Sequence, residues 1–155
     1  MRIYLMQHGK PVSKEEDPDR PLAEQGKRDV ERMADFLQKW GVRVEGVFHS
    51  GKTRARQTAE IMSSRLNPGM EAQQKPGLSP LDDVNDTAKL LKDAEKDLLI
   101  AGHLPHLAKL TSLLIAGNES RPVVRFQQGG VVCLQKDHEG HWGIAWMLVP
   151  EIVST

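Results

Sequence analysis

Residues 2–11 read Arg2-Ile3-Tyr4-Leu5-Met6-Gln7-His8-Gly9-Lys10-Pro11. Ile3 to Met6 is a short, unbroken apolar run that Gly9 and Pro11 close, which predicts a buried strand over Arg2–Gln7. His8 then stands where strand gives way to loop. The run is far too short for a signal peptide, and no segment approaches membrane-spanning length.

The same pattern recurs twice. Val44 to His49 reads as a second strand and is followed by Ser50. "KDLLIAGH" (Lys96–His103) is the clearest buried strand and ends at His103. Helices are expected between them. From Leu22 the apolar positions Val30, Met33, Ala34, Leu37 and Trp40 follow helical spacing, and Gly41 ends the run. Thr53 to Leu66 places Ala55, Ala59, Met62 and Leu66 on one face, stopped by Asn67-Pro68-Gly69. Residues 11–21 read as a loop, and 70–83 as an irregular connection with a short strand near Ala72. Helices follow at about Val84–Ala94 and Pro105–Ala116, the latter ended by Gly117.

The tail changes character. Val131–Lys136 and Trp142–Val149 are strands joined by Asp137-His138-Glu139-Gly140, a hairpin signal. Trp142, Ile144, Trp146 and Leu148 alternate, so they are expected to share one face. Strands alternating with helices and then a terminal hairpin predict an α/β fold, a sandwich on a mostly parallel sheet with a C-terminal antiparallel hairpin, in one domain over residues 1–155. In such sheets chemistry gathers where strands end. His8, Ser50 and His103 should therefore meet at one edge.

Composition narrows the partners. The chain has 155 residues, with 21 Lys and Arg against 21 Asp and Glu. The balance provides no overall field for nucleic acid or an anionic membrane, so any anion site is local. The single cysteine, Cys133, excludes an internal disulfide and fits a cytoplasmic protein.

Two segments join His8 as candidates. In "HSGKTRARQTAE" (His49–Glu60) Arg54 falls in the first turn of a helix. There free N–H groups and the helix dipole favour an anion, and a guanidinium adds donors shaped for phosphate. In "LLIAGHLPH" (Leu98–His106) His103 stands between strand and helix, able to donate a hydrogen bond to a phosphoryl oxygen.

Together "MQHGK", "RPLAEQG", "SGKTRARQTAE" and "AGHLPHL" resemble the histidine phosphatase superfamily, the phosphoglycerate-mutase-like fold. The likeness is greatest to its short bacterial branch, the phosphohistidine phosphatases of the SixA type. The four motifs come in the family's order and span nearly the whole chain. The resemblance implies a three-layer α/β/α sandwich without cofactor or metal, and a nucleophile at His8 that is transiently phosphorylated. It implies that Arg54 and Arg20 grip the phosphate and that His103 is the second active-site histidine. The substrate implied is a phosphohistidine-bearing protein, with small phosphate esters behind it. A neutral imidazole can attack phosphorus in line and divide the transfer into two easier displacements.

Two departures matter. The family carries Arg-His-Gly where this chain has Gln7-His8-Gly9. Gln7 can donate hydrogen bonds to phosphate but brings no charge; Lys10, Lys52 or Arg56 are candidates to restore it. The rival reading is a degenerate phosphatase that binds a phosphorylated partner with little turnover. The proton donor is the second departure. Asp83, with Asp82 beside it, is the carboxylate placed for the role, though capping of the helix from Val84 explains Asp83 equally well.

Other patterns lead away. "GVFHSGKT" (Gly46–Thr53) satisfies the P-loop pattern, but strand residues Val47 and Phe48 occupy the intended phosphate cradle. His103 with His106, and His138 with His141, have metal-compatible spacing; two ligands make no site, and all four are better read as surface residues apart from His103's strand-end role. A metabolic phosphomutase is disfavoured by the short chain. Cys133 reads as a small core residue.

Overall fold

The computed structural model describes residues 1–153. Its elements are β1 (Arg2–Gln7), α1 (Glu24–Lys39), β2 (Gly46–His49), α2 (Thr53–Leu66), β3 (Gln73–Gln74), α3 (Val84–Asp93), β4 (Leu98–Gly102), α4 (His106–Ala116), β5 (Val131–Lys136) and β6 (Trp142–Leu148). They build one six-stranded sheet in the order β3-β2-β4-β1-β5-β6. The first four strands in that order run parallel, and β5 and β6 are antiparallel additions. Strand β1 lies between β4 and β5 with helices over both faces, which is why Ile3 to Met6 is unbroken apolar sequence: that run has no solvent face.

Each face of the sheet has its own core. Tyr4 and Met6 pack with Val30, Met33, Leu37, Ala59 and Met62 under α1 and α2. Ile3 and Leu5 point the other way, to Val84, Leu91, Leu107 and Leu110 beneath α3 and α4. The result is a three-layer α/β/α sandwich. Helix α1 shows how pattern becomes position, for its buried residues, Val30, Met33, Ala34 and Leu37, recur every three or four places.

Two expectations need correction. Trp40 is not on the buried stripe: it is 75% exposed and lies beyond the helix, resting on Phe36. The chain leaves α1 at Gly41, with φ of 79°, before another turn could carry the indole inward. Nor do the four alternating residues of β6 share a face. A register shift between Cys133 and Leu134 pairs Cys133 with Trp146 but Leu134 with Ile144. The extra residue, Ala145, reverses side-chain parity. Trp146 and Leu148 therefore pack on the α1/α2 side, and Trp142 on the α3/α4 side.

The chain after β1 is fixed against α1 by glycine. A Cβ on Gly26 would collide with the carbonyl oxygen of Lys10, and one on Gly9 would come within 2.8 Å of the Val30 side chain. Gly26→Ala is therefore expected to lower stability by about 3 kcal/mol, the upper range for overpacking, because backbone yields less than a side chain. The thermal midpoint should fall by about 5–10 °C; a fall below about 2 °C in a calorimetric scan would refute the close approach.

Candidate active site

Three strands end level with one another. Met6 and His49 both pair with Ala101, and Gln7 pairs with Gly102. The next residues out, Ser50, His8 and His103, therefore emerge at one edge of the sheet. His8 is held there by its backbone N–H, which bonds to Gly102 O at 3.0 Å. The rings of His8 and His103 lie 5.2 Å apart between centroids, inclined by 54°.

Hydrogen bonding sets the state of the His8 ring. Its Nδ1 is 2.8 Å from the carbonyl oxygen of Gly9, which can only accept. Nδ1 therefore carries the hydrogen, and Nε2 is left with a free lone pair. Burial holds His8 below the ordinary imidazole range; the Gly9 bond opposes this, and the positive charges of Arg54 and Arg20 add to it. The ring is neutral at neutral pH.

His103 is 1% exposed. Its affinity for a proton is pushed down to about 3, first by burial and then by His8, Arg54, Lys52 and His106. Its Nε2 lies 2.6 Å from Ser50 Oγ. Its Nδ1 is buried without a hydrogen-bond partner.

Two guanidinium groups complete the positive side. Arg54 opens helix α2, where it is half-buried with a partnerless Nε. Burial, then the nearby Arg20, disfavours its charge, though a guanidinium remains protonated. Arg20 adopts φ of 49°, a left-handed backbone that costs a residue with a side chain about 1–2 kcal/mol. Its Nε donates to Val12 O at 3.2 Å, and its loop is closed by Val12 N–H bonding to Pro21 O. Gln7 ends β1 almost fully buried, and its Oε1 has no partner.

Helix α2 also anchors the two loops that carry these groups. Thr58 Oγ1 donates to Arg54 O at 2.8 Å and accepts Gly9 N–H at 3.0 Å, while Gln57 Oε1 accepts Leu22 N–H at 2.7 Å. The sequence reading passed over these supporting residues. Thr58 was detectable as a polar residue on the buried stripe of Ala55, Ala59 and Met62.

The structure brings Gln7, His8, Arg20, Arg54 and His103 together. Asp83 stands at the margin. It caps α3, accepting from both the N–H and the side chain of Asn85, and these bonds hold its exposed carboxyl below the usual range. It lines, with Ser50, Gln74, Lys75, Asp82 and Asp86, an open cavity of about 800 Å³ next to the histidines.

The histidine pairs divide. His138 and His141 are exposed around the β5–β6 turn, whereas His106 is 1% exposed, contrary to the surface reading. It begins α4, whose first turn packs inward on the sheet. No group of three or more His, Cys, Asp or Glu among the described residues could hold a metal. The P-loop pattern has no cradle, since Gly46–His49 is β2 itself. Burial pushes the Cys133 thiol up to about 11, an unreactive core position. Among the described residues no helix is long and apolar enough to cross a membrane.

Known proteins resemble this chain in sequence and fold. Phosphohistidine phosphatase SixA of Escherichia coli is 28% identical over 155 residues, spanning 97% of this chain and 94% of that protein. The structure of the protein histidine phosphatase SixA complexed with tungstate superposes with a TM-score of 0.86 at 26% identity, covering 99% of this chain and 100% of that one. The alpha-ribazole phosphatase of Shigella flexneri shares the fold, with a TM-score of 0.76 at 16% identity and 97% of each chain covered. The model of the histidine phosphatase superfamily (branch 1) matches residues 3–100, which contain His8, Arg20 and Arg54. Motif order, sheet topology and this match agree: the chain belongs to the histidine phosphatase superfamily.

Proposed function

We propose that the protein hydrolyses phosphohistidine on protein substrates, taking the phosphoryl group onto His8 Nε2 before passing it to water. The observation that carries this reading is the His8 ring itself. Its Nδ1 is engaged by the Gly9 carbonyl, so a neutral ring directs its lone pair from Nε2. Attack would break the substrate's P–N bond and form a new one to His8. Arg54, Arg20 and the Gln7 amide would stabilise charge on the transferring oxygens.

Further support comes from the unpaired atoms. Buried polar groups without partners cost about 1–3 kcal/mol each, so they are rare. Arg54 Nε and His103 Nδ1 are two such atoms on groups that face His8; the others among the described residues are Gln7 Oε1, Arg32 Nε and both ring nitrogens of His106. An oxyanion would satisfy the donors on Arg54 and His103, and the SixA relative is one whose structure is complexed with tungstate. The neighbouring cavity, about 800 Å³ and open to solvent, suits the bulky leaving side of a protein substrate. A free, buried Cys133 thiol fits a reducing cytoplasm.

The proton donor follows from the bond cleaved. Imidazole departs more readily than an alkoxide and asks less of a general acid. Asp83, ionised and exposed, is proposed as no more than a weak donor. Asp83→Asn preserves the cap, because Asn and Asp cap about equally well. Phosphohistidine hydrolysis should then stay within about twofold of the native rate. A loss of about a hundredfold, the usual worth of a general acid, would instead make Asp83 the required donor.

The degenerate reading rests on Gln7. Of the three cations that could replace the missing arginine, Lys52 alone extends its charge to His103. Arg56 is paired to Glu60 at 2.8 Å, and Lys10 points to solvent. The deciding assay is release of inorganic phosphate from a phosphohistidine protein. A rate above that of His8→Ala supports turnover, and equality with that variant overturns it.

A further inference from the structure

Ser50 lies outside the charged set, yet it makes the shortest polar contact of the site, 2.6 Å from Oγ to His103 Nε2. A hydroxyl can donate or accept, so the distance alone leaves the hydrogen unassigned. Lys52 N–H donates to the same Oγ at 3.3 Å, occupying one of its acceptor sites and leaving the hydroxyl hydrogen free to point at the histidine. The other ring nitrogen, Nδ1, is buried and partnerless.

A ring held neutral carries one hydrogen, on one nitrogen or the other. With that hydrogen on Nε2, a bare Nδ1 lone pair would meet the oxygens of a phosphoryl group and repel them. With it on Nδ1, the ring becomes a donor to those oxygens. His8 has the opposite arrangement, since Nδ1–H is spent on Gly9 and Nε2 is bare. The two inclined rings thus require complementary tautomers, one to attack and one to donate.

We propose that Ser50 is a positioning residue which donates its hydroxyl hydrogen to His103 Nε2 and so keeps the ring's own hydrogen on Nδ1, facing the phosphoryl group. The sequence Lys52 N–H to Ser50 O–H to His103 Nε2 then forms a relay that begins at the residue capping the start of helix α2. This role deepens the phosphohydrolase reading and rests on it. It also accounts for a small hydroxyl residue immediately after β2, where strand end and histidine are brought side by side by the β2–β4 pairing.

The test is the nitrogen-15 imidazole spectrum of the full chain, recorded near neutral pH with and without inorganic phosphate. His103 is expected to show a protonated Nδ1 and a bare Nε2, and Ser50→Ala to shift the population toward protonated Nε2. In kinetics on phosphohistidine, Ser50→Ala should lower kcat by about tenfold with little change in KM, a fraction of what losing a whole oxyanion donor does. Ser50→Thr, which retains the hydroxyl, should restore both spectrum and rate. A native His103 protonated on Nε2, or an Ser50→Ala protein with unchanged tautomer, would overturn the proposal. The spectrum requires no turnover, so failure of the phosphatase reading would appear separately, as absence of phosphate release with the tautomer still as stated.

Discussion

His8→Ala is expected to reduce phosphate release by at least about 10⁴-fold, because it removes the atom that would form the covalent intermediate. The fold should survive. His8 contributes a backbone bond to Gly102 O and a side-chain bond to its own neighbour, and neither core depends on its ring. Rapid quenching of the native protein with a 32P-labelled substrate should trap an acid-labile, base-stable label on His8, and the variant should trap none. Labelling of His8→Ala equal to the native protein would refute nucleophilic catalysis at this position. The pH profile supplies a second reading with a definite sign. Only the neutral ring attacks, and burial lowers its proton affinity. The acid limb of kcat/KM should therefore lie below about 6.5, the unperturbed imidazole value, and not above it.

Gln7→Arg is the second large effect, and its direction is a gain. Gln7 ends β1 beside Gly102, next to the histidine that would carry the phosphoryl group. A charge-assisted hydrogen bond contributes about 1.5–3 kcal/mol against about 1 for a neutral one. With about 1.4 kcal/mol per decade, restoring the charge should raise kcat by about tenfold, and by up to about a hundredfold if the new fork is bidentate. Stability should move the other way. Arg54 and Arg20 already press on each other, so a third buried cation should lower the thermal midpoint without phosphate and restore it when phosphate is added. An unchanged rate would mean that the charge already comes from elsewhere, with Lys52 the residue to remove next.

Most of the architecture was legible because it depends on short-range pattern. β1, α2 and β5 fall over the residues that their apolar spacing indicated, since burial on one face or two leaves a period in the chain. What failed was long-range. Trp40 continued the helical spacing but lay past the point where the backbone turned away. The β6 alternation was present in sequence, yet its meaning depended on the bulge opposite β5, a property of pairing that one strand cannot reveal. His106 looked like a surface histidine because nothing local tells which side of α4 faces the sheet.

The site divides along the same line. Residue type, position and the four motifs singled out His8, Arg54 and His103 as candidates, because strand ends and helix starts are where such groups become useful. Sequence also fixed the absence of an arginine at position 7. Tertiary structure decided how these groups behave: that three strand ends lie level, that Gly9 directs the His8 lone pair, that Ser50 meets His103, and that Thr58 and Gln57 hold the loops in place. The reason is physical. Chemical identity is carried by each residue, whereas proton position and orientation are set by partners that folding brings within hydrogen-bond distance, as with Ser50 and His103, 53 residues apart, and Thr58 and Gly9, 49 apart.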